Sequence, residues 1–170
     1  VRDQRFVSFG ELKQLRETVK RLDSRRLVTA SAGSDISRDD LREYLQTVPV
    51  DFVCPHRPRN AQSPAETEAK TREYLAWMQD LGRLVPVHYQ EPFRRGWGKW
   101  LPQAEDYVTD ARGAKGGGAA GWCLHNGTGS QGKQADGHPR RSFDLREKRL
   151  FEQLDQDERK AIEDARGLMK

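Results

Sequence analysis

No stretch of this chain approaches the roughly 18 to 20 apolar residues of a membrane-spanning helix. The opening segment, VRDQRFVSFGELK, also lacks the apolar core of a secretory signal. Cysteine is scarce. Cys54 and Cys123 each sit in an apolar run, where a reduced, buried thiol is expected and no oxidising compartment is implied. A large excess of one charge is missing too: 30 Lys and Arg stand against 26 Asp and Glu, and the signs mix along segments such as LDQDERKAIEDAR. The net charge of +4 therefore reads as solvated helix faces, and no nucleic-acid or membrane partner is expected. Apolar residues are only 35% of the chain and mean hydropathy is −0.94, so a soluble protein is expected, with one domain at 170 residues. The first residue is Val1, which leaves two expectations: an upstream segment removed, or a piece of a longer protein. No compartment is legible.

What the chain does have is alternation. Phe9, Leu12, Leu15, Val19 and Leu22 recur at spacings of three and four and predict a helix over 8–23. A short strand, LVTAS, follows at 27–31. Ser37 as a cap, acids in the first turn and Leu41, Tyr44, Leu45 and Val48 on one side predict a helix over 37–48. VDFVCPHR (50–57) reads as a strand. Ser63 at the cap, Pro64 at the first helical position and Gly82 at the end mark a helix over 63–82. Strand LVPVHYQ (84–90), a helix over 101–118 fading into glycines, strand AAGWCLHN (119–126), a polar loop and a closing helix in the region 145–166 complete the pattern. A helix followed by four strand-helix units implies parallel strands with right-handed crossovers. An open α/β sheet and half of a (β/α)8 barrel both fit.

Every strand ends in polar or aromatic residues: SAGSD, HRPRN, HYQEPFRRGW and HNGTG. In parallel α/β folds that rim holds the substrate. Strand alternation assigns Val85, Val87, Tyr89 and Glu91 to one face, and Leu84, Pro86, His88 and Gln90 to the other. With the first set toward the barrel axis, Glu91 ends an inward column at the rim, where a nucleophile or acid belongs. Its alternative use is as a helix cap or as a partner of Arg94 or Arg95.

VDFVCPHRPR, VHYQEPFRRG and AAGWCLHNG, in that order, resemble the sixth, seventh and eighth strands of a clan A glycoside hydrolase barrel of the family 5 cellulase-like kind. The resemblance covers about residues 8 to 166. It implies the C-terminal half, about four βα units, of a TIM (β/α)8 barrel, as a single partial domain over 1–170 with strands near 27–31, 50–57, 84–91 and 119–126. It also implies a retaining glycosidase on a polysaccharide or oligosaccharide, with Glu91 as nucleophile, Trp122 flooring a sugar subsite and His56 in the site. Arg57, Tyr89, Arg94, Trp97, His125 and Asn126 join as candidate substrate-binding residues, and no metal or organic cofactor is needed. In the clan the acid/base lies in an Asn-Glu pair ending strand four, and this chain has no Asn-Glu dipeptide. Alone it is expected to be inactive. A half barrel leaves sheet edges and an apolar interior open, so a homodimer or the missing N-terminal half is expected as partner.

Other readings compete. His56, His88 and His125 near strand ends suggest a zinc-dependent barrel hydrolase, although His88 has parity opposite to Glu91. A non-catalytic carbohydrate-binding or assembly module would use the same rim without turnover. GAKGGGAAG is not a phosphate loop, because its glycines close a helix instead of opening one. The NGT sequon at 126–128 is discounted, and a Cys54–Cys123 disulfide is not expected across an intervening strand. Trp77 reads as core packing, while Trp97 and Trp100 lie in a loop where sugar stacking is a use for them. Arginine pairs Arg57/Arg59, Arg94/Arg95 and Arg140/Arg141 suit an acidic glycan, or else pair with Asp35, Asp136 and Asp144.

Overall fold

The computed structural model describes residues 7–92, 100–124, 145–146 and 148–169. Ser8 starts the first helix: its hydroxyl accepts the Glu11 N–H at 3.3 Å while the Glu11 carboxylate accepts the Ser8 N–H at 2.7 Å. Helix α1 then runs Phe9–Leu22. Its predicted apolar stripe is only partly used. Phe9 and Leu12 pack against the core, whereas Leu15 and Leu22 are exposed. Ions do the rest of the seating. Arg16 and Lys20 reach Asp51 at 3.5 and 2.8 Å, and Asp51 also accepts the Val28 N–H at 2.8 Å.

Ser37 caps α2, Arg38–Arg42, by accepting the Asp40 N–H at 3.1 Å, and a π-helical turn, Glu43–Thr47, continues it. Helix α3, Ser63–Asp80, begins one residue before the predicted point. The Asn60 side chain accepts the N–H groups of Gln62 and Ser63, so Ser63 enters the helix instead of capping it. Gln103 donates its N–H to Asp106 at 2.7 Å and opens α4, Ala104–Gly117, which stops at the left-handed Gly118. The closing helix is two: α5, Leu150–Gln153, and α6, Gln156–Ala165, with a 3-10 turn at Arg166–Met169. Leu154 is extended and buried between them, and Asp155 caps α6 by accepting the Glu158 N–H at 2.9 Å.

The strands are shorter than the sequence implies. Strand β1, His88–Tyr89, pairs in parallel with β2, Gly121–Trp122. Parallel bridges Ser31–Cys54 and Val53–Val87 connect the remaining segments. Main-chain bonds extend each junction: Asp51 to Val28 at 2.8 Å, Val53 to Pro86 at 2.9 Å and Ala120 to Val87 at 2.8 Å. The four expected segments thus lie side by side in chain order, all parallel, with α3 and α4 between the later ones. The class is mixed and mostly helical, with short parallel pairings.

The assignment of faces is corrected. Val85, Val87 and Tyr89 are buried in the main core with Tyr74 and Met78 of α3, so this set faces the helices. Leu84 is 66% exposed, and His88 meets Phe52 edge-on at 6.2 Å on the other face. Apolar residues face the helix layer because that is where apolar surface is removed from water. Cys54 is buried as expected, but Cys123 is exposed; both are free thiols.

Candidate active site

The ends of three neighbouring parallel segments supply a compact polar group. Ser31 closes the first segment, His56 follows the second and Glu91 follows the third. Register explains the meeting: Ser31 is bridged to Cys54, two residues before His56, and the His56 N–H is held by the Ser34 carbonyl at 3.1 Å. Ser31 Oγ lies 3.0 Å from His56 Nε2, and His56 Nδ1 lies 3.8 Å from Glu91 Oε2. Arg59 reaches the same Glu91 oxygen at 3.3 Å. Glu91 lies beyond β1, so strand alternation no longer dictates its side. His56 is buried, Glu91 partly buried and Ser31 exposed.

Beneath this group lies a second, buried one. Arg57 is 3% exposed and directs its guanidinium inward, to both Asp35 oxygens at 2.5 and 2.7 Å and to Thr67 Oγ1 at 3.0 Å. Tyr74 ties the same carboxylate to the backbone, donating to Asp35 at 3.1 Å and accepting the Ile36 N–H at 2.9 Å. Thr67 Oγ1 also contacts Asp110 Oδ1, and the Trp122 indole N–H donates to Asp110 Oδ2. Burial pushes the Asp110 carboxyl up to about 6, against the downward pull of the Thr67 and Trp122 hydrogen bonds and the Arg57 charge. Burial likewise pushes the phenols of Tyr74 and Tyr89 well above their usual range.

No family model and no curated protein matches this chain.

The expected site residues therefore divide by position. His56 and Glu91 come together. Arg57 is adjacent in sequence but turned inside, paired with Asp35, while Arg59 takes the place at Glu91. Tyr89 is fully buried, with its hydroxyl 2.8 Å from Thr71 Oγ1. Trp122 differs most from expectation. It is in register with Tyr89, and parallel partners project to the same side, so its ring sits on the helix side and lines a cavity of about 240 Å³ with Tyr107, Leu124, Ala161 and Ile162. Arg94, Trp97, His125 and Asn126, with Arg95, Asp136, Arg140, Arg141 and Asp144, lie outside the described residues. Among the described residues no group of three metal-ligating side chains is placed to hold an ion.

Two participants escaped sequence reading. Ser31 sits in SAGSD, a strand end noted only for polarity. Asp110, in a helix rich in charge, carries no local sign that it is buried.

Proposed function

We propose that this chain is the C-terminal half of a clan A glycoside hydrolase-like (β/α)8 barrel, with Glu91 as the nucleophile of a retaining mechanism on a polysaccharide or oligosaccharide. The observation that carries the reading is the approach of His56 to Glu91, at 3.8 Å, at the C-terminal ends of adjacent parallel segments. The consecutive parallel order of four segments supports it further. In such a barrel Glu91 attacks the anomeric carbon, and His56 and Arg59 hold its carboxylate for in-line approach. The leaving oxygen needs a proton from a second carboxylate about 5 to 5.5 Å away, which the resemblance places in the N-terminal half. The face carrying Leu27, Phe52 and Leu84 is the surface that this half, or a second copy, would cover; Leu27 and Leu84 are 69% and 66% exposed.

A glycoside whose leaving group needs no protonation isolates the nucleophile. 2,4-Dinitrophenyl 2-deoxy-2-fluoroglycosides of the common hexoses and xylose should each be tried, with intact-mass detection. The expected result is one glycosyl adduct per chain, on the peptide containing Glu91, and none on Glu91→Gln. Failure of every sugar to label the protein would remove Glu91 as nucleophile and leave binding or assembly as the use of the rim.

A further inference from the structure

We propose that Ser31, His56 and Glu91 form a serine-nucleophile array able to cleave short-chain acyl esters, an activity beyond the glycosidase reading and with a different attacking atom. Three features support it. The first is order along a line: Ser31 Oγ stands 3.0 Å from Nε2 of His56, and the Glu91 carboxylate faces Nδ1, the other ring nitrogen, at 3.8 Å. A carboxylate on the Nδ1 side favours the tautomer with its proton there, which leaves the Nε2 lone pair to receive the Ser31 proton. Such contacts are commonly long in unliganded sites and shorten once imidazolium forms.

The second is exposure graded as the chemistry requires. The base is 8% exposed, while the nucleophile is open to solvent. The third is a place for the acyl group. Ser31 lines a groove of about 450 Å³ whose other walls include Val7, Leu12, Ala32, Ile36 and Tyr44. Its apolar side chains suit a short aliphatic acyl chain, and Asp40, which also lines it, disfavours a carboxylate at the chain's far end.

The steps balance. Ser31 Oγ bonds to the ester carbonyl carbon as its proton passes to His56 Nε2. The tetrahedral adduct then expels the alcohol oxygen, which takes that proton. Water, deprotonated by the same Nε2, releases the carboxylic acid and restores the Ser31 hydroxyl.

A fluorophosphonate probe tests the array on the whole chain, because Ser31 Oγ would form the phosphorus–oxygen bond, expel fluoride and give its proton to His56. The expected result is one adduct per chain on the Ser31 peptide. Its labelling rate should fall on acidification as the imidazole protonates, and 4-nitrophenyl butyrate turnover should drop about 100-fold in Ser31→Ala. Ser31 is exposed, so that variant should fold, which circular dichroism checks. Absence of any adduct between pH 6 and 9, or equal labelling of Ser31→Ala, would overturn the proposal. The fluoroglycoside reports on Glu91 and the fluorophosphonate on Ser31, so either reading can fail alone.

Discussion

Trp122 donates its indole N–H to Asp110, a carboxylate with no exposed surface, tying the end of β2 to the middle of α4. The hydrogen bonds around that carboxylate run through Thr67. Thr67 Oγ1 accepts from Arg57 and lies 3.0 Å from the Ser63 carbonyl as well as against Asp110. One hydroxyl proton cannot serve both oxygens. Thr67 donates to Asp110, and the Ser63 carbonyl still has the Arg57 guanidinium at 3.4 Å as a donor.

A stability profile against pH follows. The folded carboxyl titrates near 6 and the unfolded one near 3.8, so between those values the folded state holds the extra proton. Stability contributed by this group is present below about pH 4 and declines as pH rises to about 6, by at most about 3 kcal/mol. Urea midpoints across pH 4 to 7 should show the decline, and Asp110→Asn should remove it. A flat wild-type profile would show that burial does not raise this carboxyl.

Asp51 should act in the opposite direction. Burial raises its carboxyl, but Lys20, the Val28 N–H and Arg16 together lower it below 3.8. Its contribution is present above about pH 4 and lost as pH falls below that value. Asp51→Asn should cost about 1 kcal/mol at pH 7, and the cost should shrink in high salt because the partners lie near the surface. An equal loss in 1 M salt would mean that the Lys20 and Arg16 ion pairs are not its source.

Gly117→Ala should destabilise, against the usual gain of about 0.5 to 1 kcal/mol from replacing a helical glycine. A Cβ there would lie 2.5 Å from the Thr71 Cβ and 2.8 Å from the Glu68 carbonyl oxygen, so α3 and α4 would have to separate. A loss of about 1 to 3 kcal/mol in thermal or urea unfolding is expected. A stabilised variant would show that the two helices do not pack this closely.

Arg83 gathers carbonyls at the end of the π-helical turn: Leu45, Pro49 at 3.1 Å and Val50 at 2.7 Å. Arg83→Met keeps much of the stem and removes the donors, leaving partly buried acceptors unpaired. The expected cost is about 1 to 3 kcal/mol by urea denaturation. Loss within experimental error would mean that solvent replaces the guanidinium.

Local chemistry made most of the elements legible. Ser37, read as a cap, caps α2, and the glycines read as closing the helix over 101–118 end α4 at Gly118, whereas Ser63, also read as a cap, lies inside α3. The split of the closing helix was missed because Leu154 fits a continuous helical pattern, although Asp155 and Glu158 form a local capping box at the second start. Facing failed for a different reason. Alternation separates Val85, Val87 and Tyr89 from Leu84, Pro86 and His88, but it does not say which set meets the helices; packing decides. At the candidate site, His56 and Glu91 stood out as chemistry-bearing residues at strand ends. Ser31 did not, since its role rests on a contact across 25 positions. Arg57 and Arg59 looked equivalent in sequence, and only the Asp35 carboxylate below the rim separates them.

The side-by-side order of the four parallel segments bears on how the chain is made. Each segment finds its partner in the one synthesised just before it, so main-chain pairing never waits for a distant stretch still inside the ribosome. Loop closure stays short at every addition, and the growing edge always offers the next segment a template.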